Sequence, residues 1–201
     1  GALNMRILHL LSIFWLSISL SANSPVLNKD SITHPEVGLE GMVVTQHYLA
    51  SEVGEAILNK GGNAYDATIA VAFALAVVLP RAGNIGGGGF TVLYNSSDES
   101  FQSLDYREKA PLAASKNMYL DKNGDVISNL STLGYKAIAV PGTVDGMWEL
   151  HKKYGSMDWK ELIVPSIKLA KEGFKVSPLM ADTLNRNYKS LSKFSETKKI
   201  F

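Results

Sequence analysis

Asn84-Ile85-Gly86-Gly87-Gly88-Gly89-Phe90 reads NIGGGGF, and what surrounds it decides how the chain folds. Upstream lies ATIAVAFALAVVLP, residues 67–80, apolar on every side; downstream lies a β-rich run, Phe90 to Tyr94. Glycine loses more conformational entropy on folding than any other residue, so four in succession need a physical reason. A phosphate cradle is one candidate. A P-loop needs Gly-Lys-Ser/Thr and then a helix N-terminus to hold the phosphates. Here Phe90 and Thr91 follow the glycines, and the next element reads as a strand. The dinucleotide fingerprint requires a strand before and a helix after; the order here is reversed. The context favours a tight backbone passage, in which missing β-carbons let two segments approach and permit positive φ.

Working outward, the apolar run predicts a core helix over 64–79, since an all-round apolar helix must be buried. Asn63 can cap it, with Asp66 three residues on in the place of a capping-box glutamate. Pro80 ends it. Before it, SEVGEAILNKGGNA predicts a helix closed at Lys60-Gly61, and Gly41 to Thr45 reads as a short strand. After the glycines, Phe90–Tyr94 and Ser100–Arg107 flank the turn residues Asn95-Ser96-Ser97-Asp98, so 90–107 predicts a hairpin. Residues 108–134 read as irregular, and Tyr135–Val140 as a strand. VDGMWELHKKYG predicts a helix with Thr143 as N-cap and Gly155 past its end. Trp159–Glu172 carries an amphipathic pattern with Pro165 in its first turns. Ser177-Pro178 starts a further helix through about Leu191.

Composition is that of a globular protein: 201 residues, 46% hydrophobic, 19% charged. Twenty basic residues against 19 acidic ones leave a formal charge of +1, which gives no electrostatic case for nucleic acid or an anionic membrane. The chain has no cysteine, so disulfides, thiolate nucleophiles and Cys-based zinc sites are excluded. Met5-Arg6 precedes the apolar run 7–20, too short for a comfortable span and suited to a secretory signal with cleavage near Ser21 or Ala22. Residues 1–22 are therefore expected to be a signal peptide with extra residues upstream of Met5, and 23–40 a linker or arm. Export to the periplasm or the cell exterior is the expected location, with a retained membrane anchor as the alternative. SETKKIF ends at Phe201 without the polar fraying of a natural terminus, and the chain is expected to be cut short.

The remaining motifs are sparse. Asp121-Lys122-Asn123-Gly124-Asp125 begins like a calcium loop, but Val126 stands where glycine is needed and Thr132 where glutamate is, so a turn is expected. Asn95-Ser96-Ser97 and Asn129-Leu130-Ser131 are glycosylation sequons, relevant in a eukaryotic host. His9, His34, His47 and His151 show no ligand spacing, and no metal site is expected. In Leu104-Asp105-Tyr106-Arg107-Glu108-Lys109-Ala110-Pro111, strand alternation puts Asp105 and Arg107 on one face with Ser103. An arginine fork suits a carboxylate, and a neighbouring aspartate could hold it. A surface ion pair, which contributes little, explains the same residues.

Four blocks together carry a resemblance: Gly61 to Ala67 (GGNAYDA), Pro80 to Phe90 (PRAGNIGGGGF), Asp105 to Pro111 (DYREKAP) and Ala139 to Gly146 (AVPGTVDG). In order and spacing the chain resembles the γ-glutamyltranspeptidases from about Gly41 to Phe201, the N-terminal part of their large subunit. The resemblance implies an α/β (α+β) fold, part of a four-layer αββα N-terminal nucleophile hydrolase sandwich, incomplete here. It implies a precursor that cleaves itself into two subunits, with a new N-terminal threonine, downstream of Phe201, as nucleophile. No catalytic residue is expected within this chain. The implied substrates are glutathione and other γ-glutamyl compounds, with amino acids, peptides or water as acceptors, and the implied partner is the small subunit of the same precursor. No metal or organic cofactor is implied. The arginine of the D-x-R-E-x-A-P block matches Arg107, which is expected to bind the substrate's α-carboxylate; Glu108 and Asp105 are possible supports. A glutaryl- or cephalosporin-type acylase of the same fold, and a non-catalytic paralogue, are the alternatives. The glycine run is expected to let the hairpin lie close to helix 64–79 and so fix the arginine.

Overall fold

The computed structural model describes residues 37–200. The apolar segment 7–20, the cleavage site and most of the arm before residue 41 lie outside the described residues. The chain forms two compact units, Gly1–Met42 and Val43–Phe201. Of the first, residues 37–42 are described, and they form no helix or strand.

The second unit is a helical assembly carrying one β-hairpin. In chain order it holds α1 (Tyr48–Asn59), α2 (Ala64–Val78), β1 (Phe90–Asn95), β2 (Ser100–Asp105), a 3-10 turn (Tyr135–Ala137), α3 (Thr143–Tyr154), α4 (Trp159–Glu172), α5 (Pro178–Leu191) and α6 (Ser195–Ile200). Helix α2 is central, with α1, α3 and α4 packed against it. Its buried residues Ala67, Ile69, Ala70, Phe73, Ala74 and Val78 face those helices, and its small side chains let them approach. Gly54 of α1 shows how close: a β-carbon there would lie 2.7 Å from both Val71 and Val43 side chains. Ile57, Ile69, Leu150 and Leu162 are each at most 1% exposed, and burying a side chain of that size is worth about 1.5–3 kcal/mol.

The sequence signals at Asn63, Gly61 and Ser177 are used as written. Asn63 Oδ1 accepts from the backbone N–H of Tyr65 and Asp66, both at 2.9 Å, and Asp66 Oδ2 accepts from Asn63 N–H at 3.0 Å. The aspartate therefore completes a capping box. Gly61, at φ 91°, closes α1: its N–H reaches Leu58 carbonyl while Gly62 N–H reaches Ile57 carbonyl, the Schellman arrangement. Asp158 and Ser177 cap α4 and α5 with their side chains. Pro165 sits inside α4 without ending it.

Three expectations are corrected. Residues 41–45 form no strand, because no described segment pairs with them; α1 instead begins at Tyr48, capped by His47 Nδ1. Of Tyr135–Val140 only Val140 pairs, bridging Lys109 on an otherwise irregular stretch, while Tyr135–Ala137 is a 3-10 turn. Thr143 is the first residue of α3 and not its cap. The carbonyl of Gly87 already accepts from Gly142 N–H (2.7 Å) and Thr143 N–H (3.1 Å), which frees the threonine hydroxyl for another partner.

The hairpin has the predicted position. β1 and β2 pair antiparallel, Phe90 opposite Asp105 through Asn95 opposite Ser100. Leu93, Leu104 and Tyr106 turn inward onto the helical core. The opposite face leaves Phe90, Val92, Tyr94 and Phe101 between 53% and 78% exposed.

Candidate functional site: an arginine at the end of the hairpin

Pairing continues one residue past β2, where Tyr106 N–H donates to Gly89 carbonyl at 3.1 Å. Alternation then sends Tyr106 inward and Arg107 outward. Tyr106 is the anchor: its ring lies against Gly89 and Gly146, and its hydroxyl accepts from Thr91 Oγ1 at 3.3 Å. No motif in the sequence marks it as such; the signal was its place between two outward residues of one strand.

Arg107 leaves the backbone at that point with its side chain 64% exposed. Glu108 Oε2 lies 3.7 Å from Arg107 Nε, and the guanidinium carbon sits 6.0 Å from the centre of the Phe90 ring. Glu108 is the only carboxylate within ion-pair distance of Arg107 among the described residues. The contact runs through Nε, and the side chain as a whole stays largely open to solvent, where a planar guanidinium can meet a carboxylate. Asp105 takes a different role from the one its spacing suggested. Its Oδ1 accepts from the backbone N–H of Arg107 at 2.9 Å, fixing the main chain where the strand ends, not the guanidinium fork.

The glycine run is packed under this segment. A β-carbon on Gly88 would lie 2.5 Å from Glu108 N and 2.7 Å from Tyr106 O. One on Gly142 would collide with Tyr106 carbonyl, and one on Gly87 would lie 2.8 Å from Asn84 Oδ1. None of the four glycines has positive φ, so the requirement at Gly87, Gly88 and Gly89 is steric and not conformational. The expected partner also changes. It is Gly83, outside the run, that meets helix α2, at the backbone of Leu75; Gly87 to Gly89 meet Tyr106–Glu108, Asn84 and the start of α3.

Asn84 and Thr143 complete the surroundings. Asn84 Oδ1 accepts from Gly87 N–H at 2.9 Å and from Thr143 Oγ1 at 2.6 Å. Neither residue stood out in the sequence as functional, although Asn84 opens the glycine stretch and Thr143 follows the Pro-Gly of α3.

The arrangement presents a fixed cation at the edge of the described unit. Alone it can hold and orient an anion. Among the described residues it brings no activated nucleophile to Arg107.

The chain matches the family model for gamma-glutamyltranspeptidase over residues 50–201. It is 48% identical over 177 residues to the glutathione hydrolase proenzyme of Pseudomonas sp. (strain A14), covering 88% of this chain and 31% of that protein. The Helicobacter pylori gamma-glutamyltranspeptidase structure superposes with a TM-score of 0.80 at 49% identity, over 83% of this chain and 47% of that one. A cephalosporin acylase from Bacillus halodurans shares the fold at a TM-score of 0.64 but only 26% identity, over 83% of this chain and 32% of the acylase. The chain spans about a quarter to a third of the length of the curated relatives it matches. Its mixed helical and antiparallel architecture is thus a part of the larger α/β fold of the N-terminal nucleophile hydrolases. The chain belongs to the γ-glutamyltranspeptidase family.

Proposed function

We propose that this chain is the N-terminal part of a self-processing γ-glutamyltransferase that cleaves glutathione and related γ-glutamyl compounds. The observation that carries the reading is Arg107, its backbone held at the end of β2 by Asp105 and its side chain largely exposed. In this reading the guanidinium grips the α-carboxylate of the γ-glutamyl group by two parallel hydrogen bonds. A clamp at that end of the substrate sets the position of its γ-carbonyl. A threonine hydroxyl, from a part of the protein beyond Phe201, attacks that carbonyl. The amide C–N bond breaks, the departing amine takes up the proton and an acyl ester remains. Water or an amino acid amine then displaces the threonine.

The similarity to glutathione hydrolase proenzymes supports this substrate class over the acylase alternative, whose solved representative is more distant. The word proenzyme in those relatives' names supports a precursor that yields two subunits. The Met5-Arg6 pair and the apolar run after it support export; N-terminal sequencing of the mature protein and cell fractionation test that point.

The test of the function is expression of the full-length protein. Self-cleavage into two subunits and hydrolysis of a γ-glutamyl anilide in preference to a glutaryl amide are expected. Preference for the glutaryl amide would establish an acylase, and a chain that neither cleaves itself nor turns over either substrate would establish a non-catalytic relative.

A further inference from the structure

The geometry points to Asn84 and Thr143 as a positioning pair that sets Arg107, and through it the selection for a substrate α-carboxylate. This rests on the reading of Arg107 as the carboxylate clamp.

The pair works through backbone. A backbone N–H can only donate, so Gly87 N–H fixes Asn84 with its Oδ1 toward the loop. The Thr143 hydroxyl must then donate to that same oxygen, 2.6 Å away. Residue Gly87 returns the link, its carbonyl accepting from Gly142 and Thr143 N–H. The result is a closed ring of hydrogen bonds joining the glycine loop to the first turn of α3. Both walls of that ring press on the main chain of the arginine. Gly88 lies on Glu108 N and Tyr106 O, and Gly142 lies on Tyr106 O with Arg107 O close behind. Thr143 is 6% exposed, and among the described side chains Asn84 is its hydroxyl's hydrogen-bond partner, so removing Asn84 breaks the ring at a buried residue.

No atom of the pair is needed to touch substrate. Its effect is to keep two backbone surfaces in register around residues 106–108. A clamp displaced by even 1 Å loses alignment with the substrate. The loss should appear only toward ligands that the clamp can grip.

The experiment uses the processed full-length protein with Asn84→Ala, Thr143→Val and Thr143→Ser, each in the wild-type and Arg107→Ala backgrounds. Hydrolysis of γ-glutamyl-4-nitroanilide is titrated with L-glutamate, which carries the α-carboxylate, and with 4-aminobutyrate, which lacks it, as the two competing probes. In Asn84→Ala and Thr143→Val the inhibition constant of L-glutamate should rise about 10-fold. That of 4-aminobutyrate should change less than about 2-fold, since the clamp does not see it. Thr143→Ser keeps the hydroxyl and should recover most of the affinity. In the Arg107→Ala background the same changes should have no further effect on L-glutamate. Should Asn84→Ala fail to mature, the Thr143→Val and Thr143→Ser pair, which is near-isosteric, decides the matter. Equal weakening of both inhibitors, or an undiminished effect without Arg107, would overturn the proposal. If Arg107→Ala itself leaves the preference for L-glutamate intact, the clamp reading fails first and the proposal falls with it.

Discussion

Gly88 lies so close to the main chain of Glu108 that a β-carbon on the glycine would stand 2.5 Å from the Glu108 nitrogen. Two residues away, Gly86 has nothing within 4 Å of the same position. The four glycines are therefore not equivalent, although they look so in the sequence. Backbone cannot swing aside as a long side chain can. Gly88→Ala is expected to cost about 1–3 kcal/mol or more through overpacking, and to lower the yield of mature protein. Gly86→Ala should lie within about 0.5 kcal/mol of wild type, as for a surface site. Thermal unfolding of the two variants compares them directly. An unfolding midpoint for Gly88→Ala no lower than that for Gly86→Ala would show that the segments can part without loss.

Asp66 carries the second prediction. It is fully buried, yet its carboxylate is surrounded by donors: Asn63 N–H, Ser156 N–H at 3.1 Å, Ser156 Oγ at 2.5 Å and Met157 N–H at 3.4 Å. Burial pushes its pKa up, but the Ser156 hydroxyl and the three backbone donors together outweigh it and hold the group below the ordinary aspartate range. A folded-state pKa below the unfolded one means that the unfolded chain binds its proton first. The stability contributed by Asp66 is then complete above about pH 4–5 and drains away as the pH falls through the folded-state value. Asp66→Ala should destabilise by about 3 kcal/mol, since it strands several buried donors at once. It should also flatten the acid limb of the pH–stability curve. An acid limb of unchanged slope in the variant would remove Asp66 as its source.

The same residue shows what the sequence could and could not reveal. Asn63 and Asp66 were legible as a cap because the cap is local and has a fixed three-residue spacing. Their second task was not legible. Asn63 Nδ2 donates to Tyr154 carbonyl at 2.7 Å, and Asp66 receives the turn after α3, about ninety residues away. The hairpin was legible from β-rich runs around turn residues, α2 from its cap and apolar run, α4 from its amphipathic pattern and α5 from its Ser177-Pro178 start. The strand expected at 41–45 failed because strand propensity needs a partner, and no described segment supplies one. Arg107 became a candidate through the four-block resemblance, since an exposed arginine beside a glutamate has no signature of its own. Tyr106, Asn84 and Thr143 stayed hidden because their roles depend on long-range packing between three separate stretches.

Arg107→Lys gives the third prediction. Lysine keeps the charge but offers a point cation in place of a planar fork, so it cannot reproduce two parallel hydrogen bonds. Phe90 and Glu108 beside the guanidinium favour that flat, Nε-anchored group as well. In the full-length protein, kcat/KM toward a γ-glutamyl anilide is expected to fall about 100-fold, with yield and self-processing unchanged because the side chain is largely exposed. Steady-state kinetics and a denaturing gel read both. Full activity in the lysine variant would show that any cation suffices there, or that the substrate carboxylate lies elsewhere.

The outer face of the hairpin leads to the last prediction. Phe90, Val92 and Tyr94 on β1 and Phe101 on β2 form one apolar surface, with Tyr94 and Phe101 rings 4.9 Å apart between centres. Strand alternation explains it: both faces of these strands carry apolar residues, and only the inner one meets the helical core. A strand that is apolar on both faces normally belongs to a sheet covered on both sides. Two strands alone are marginally stable, and an exposed patch of this kind favours association. The 201-residue chain produced by itself is expected to bind a hydrophobic dye and to form soluble oligomers or aggregates. Val92→Lys with Phe101→Lys should suppress both, because neither side chain reaches the core and charge on that face opposes pairing. In the full-length protein the same two changes should have the opposite consequence, lowering the yield of processed enzyme, if further structure covers the face. Light scattering and dye fluorescence on the short chain, set beside processing of the long one, separate these outcomes. A monomeric, dye-silent short chain would mean that the face is tolerated in water and that its apolar character has another cause.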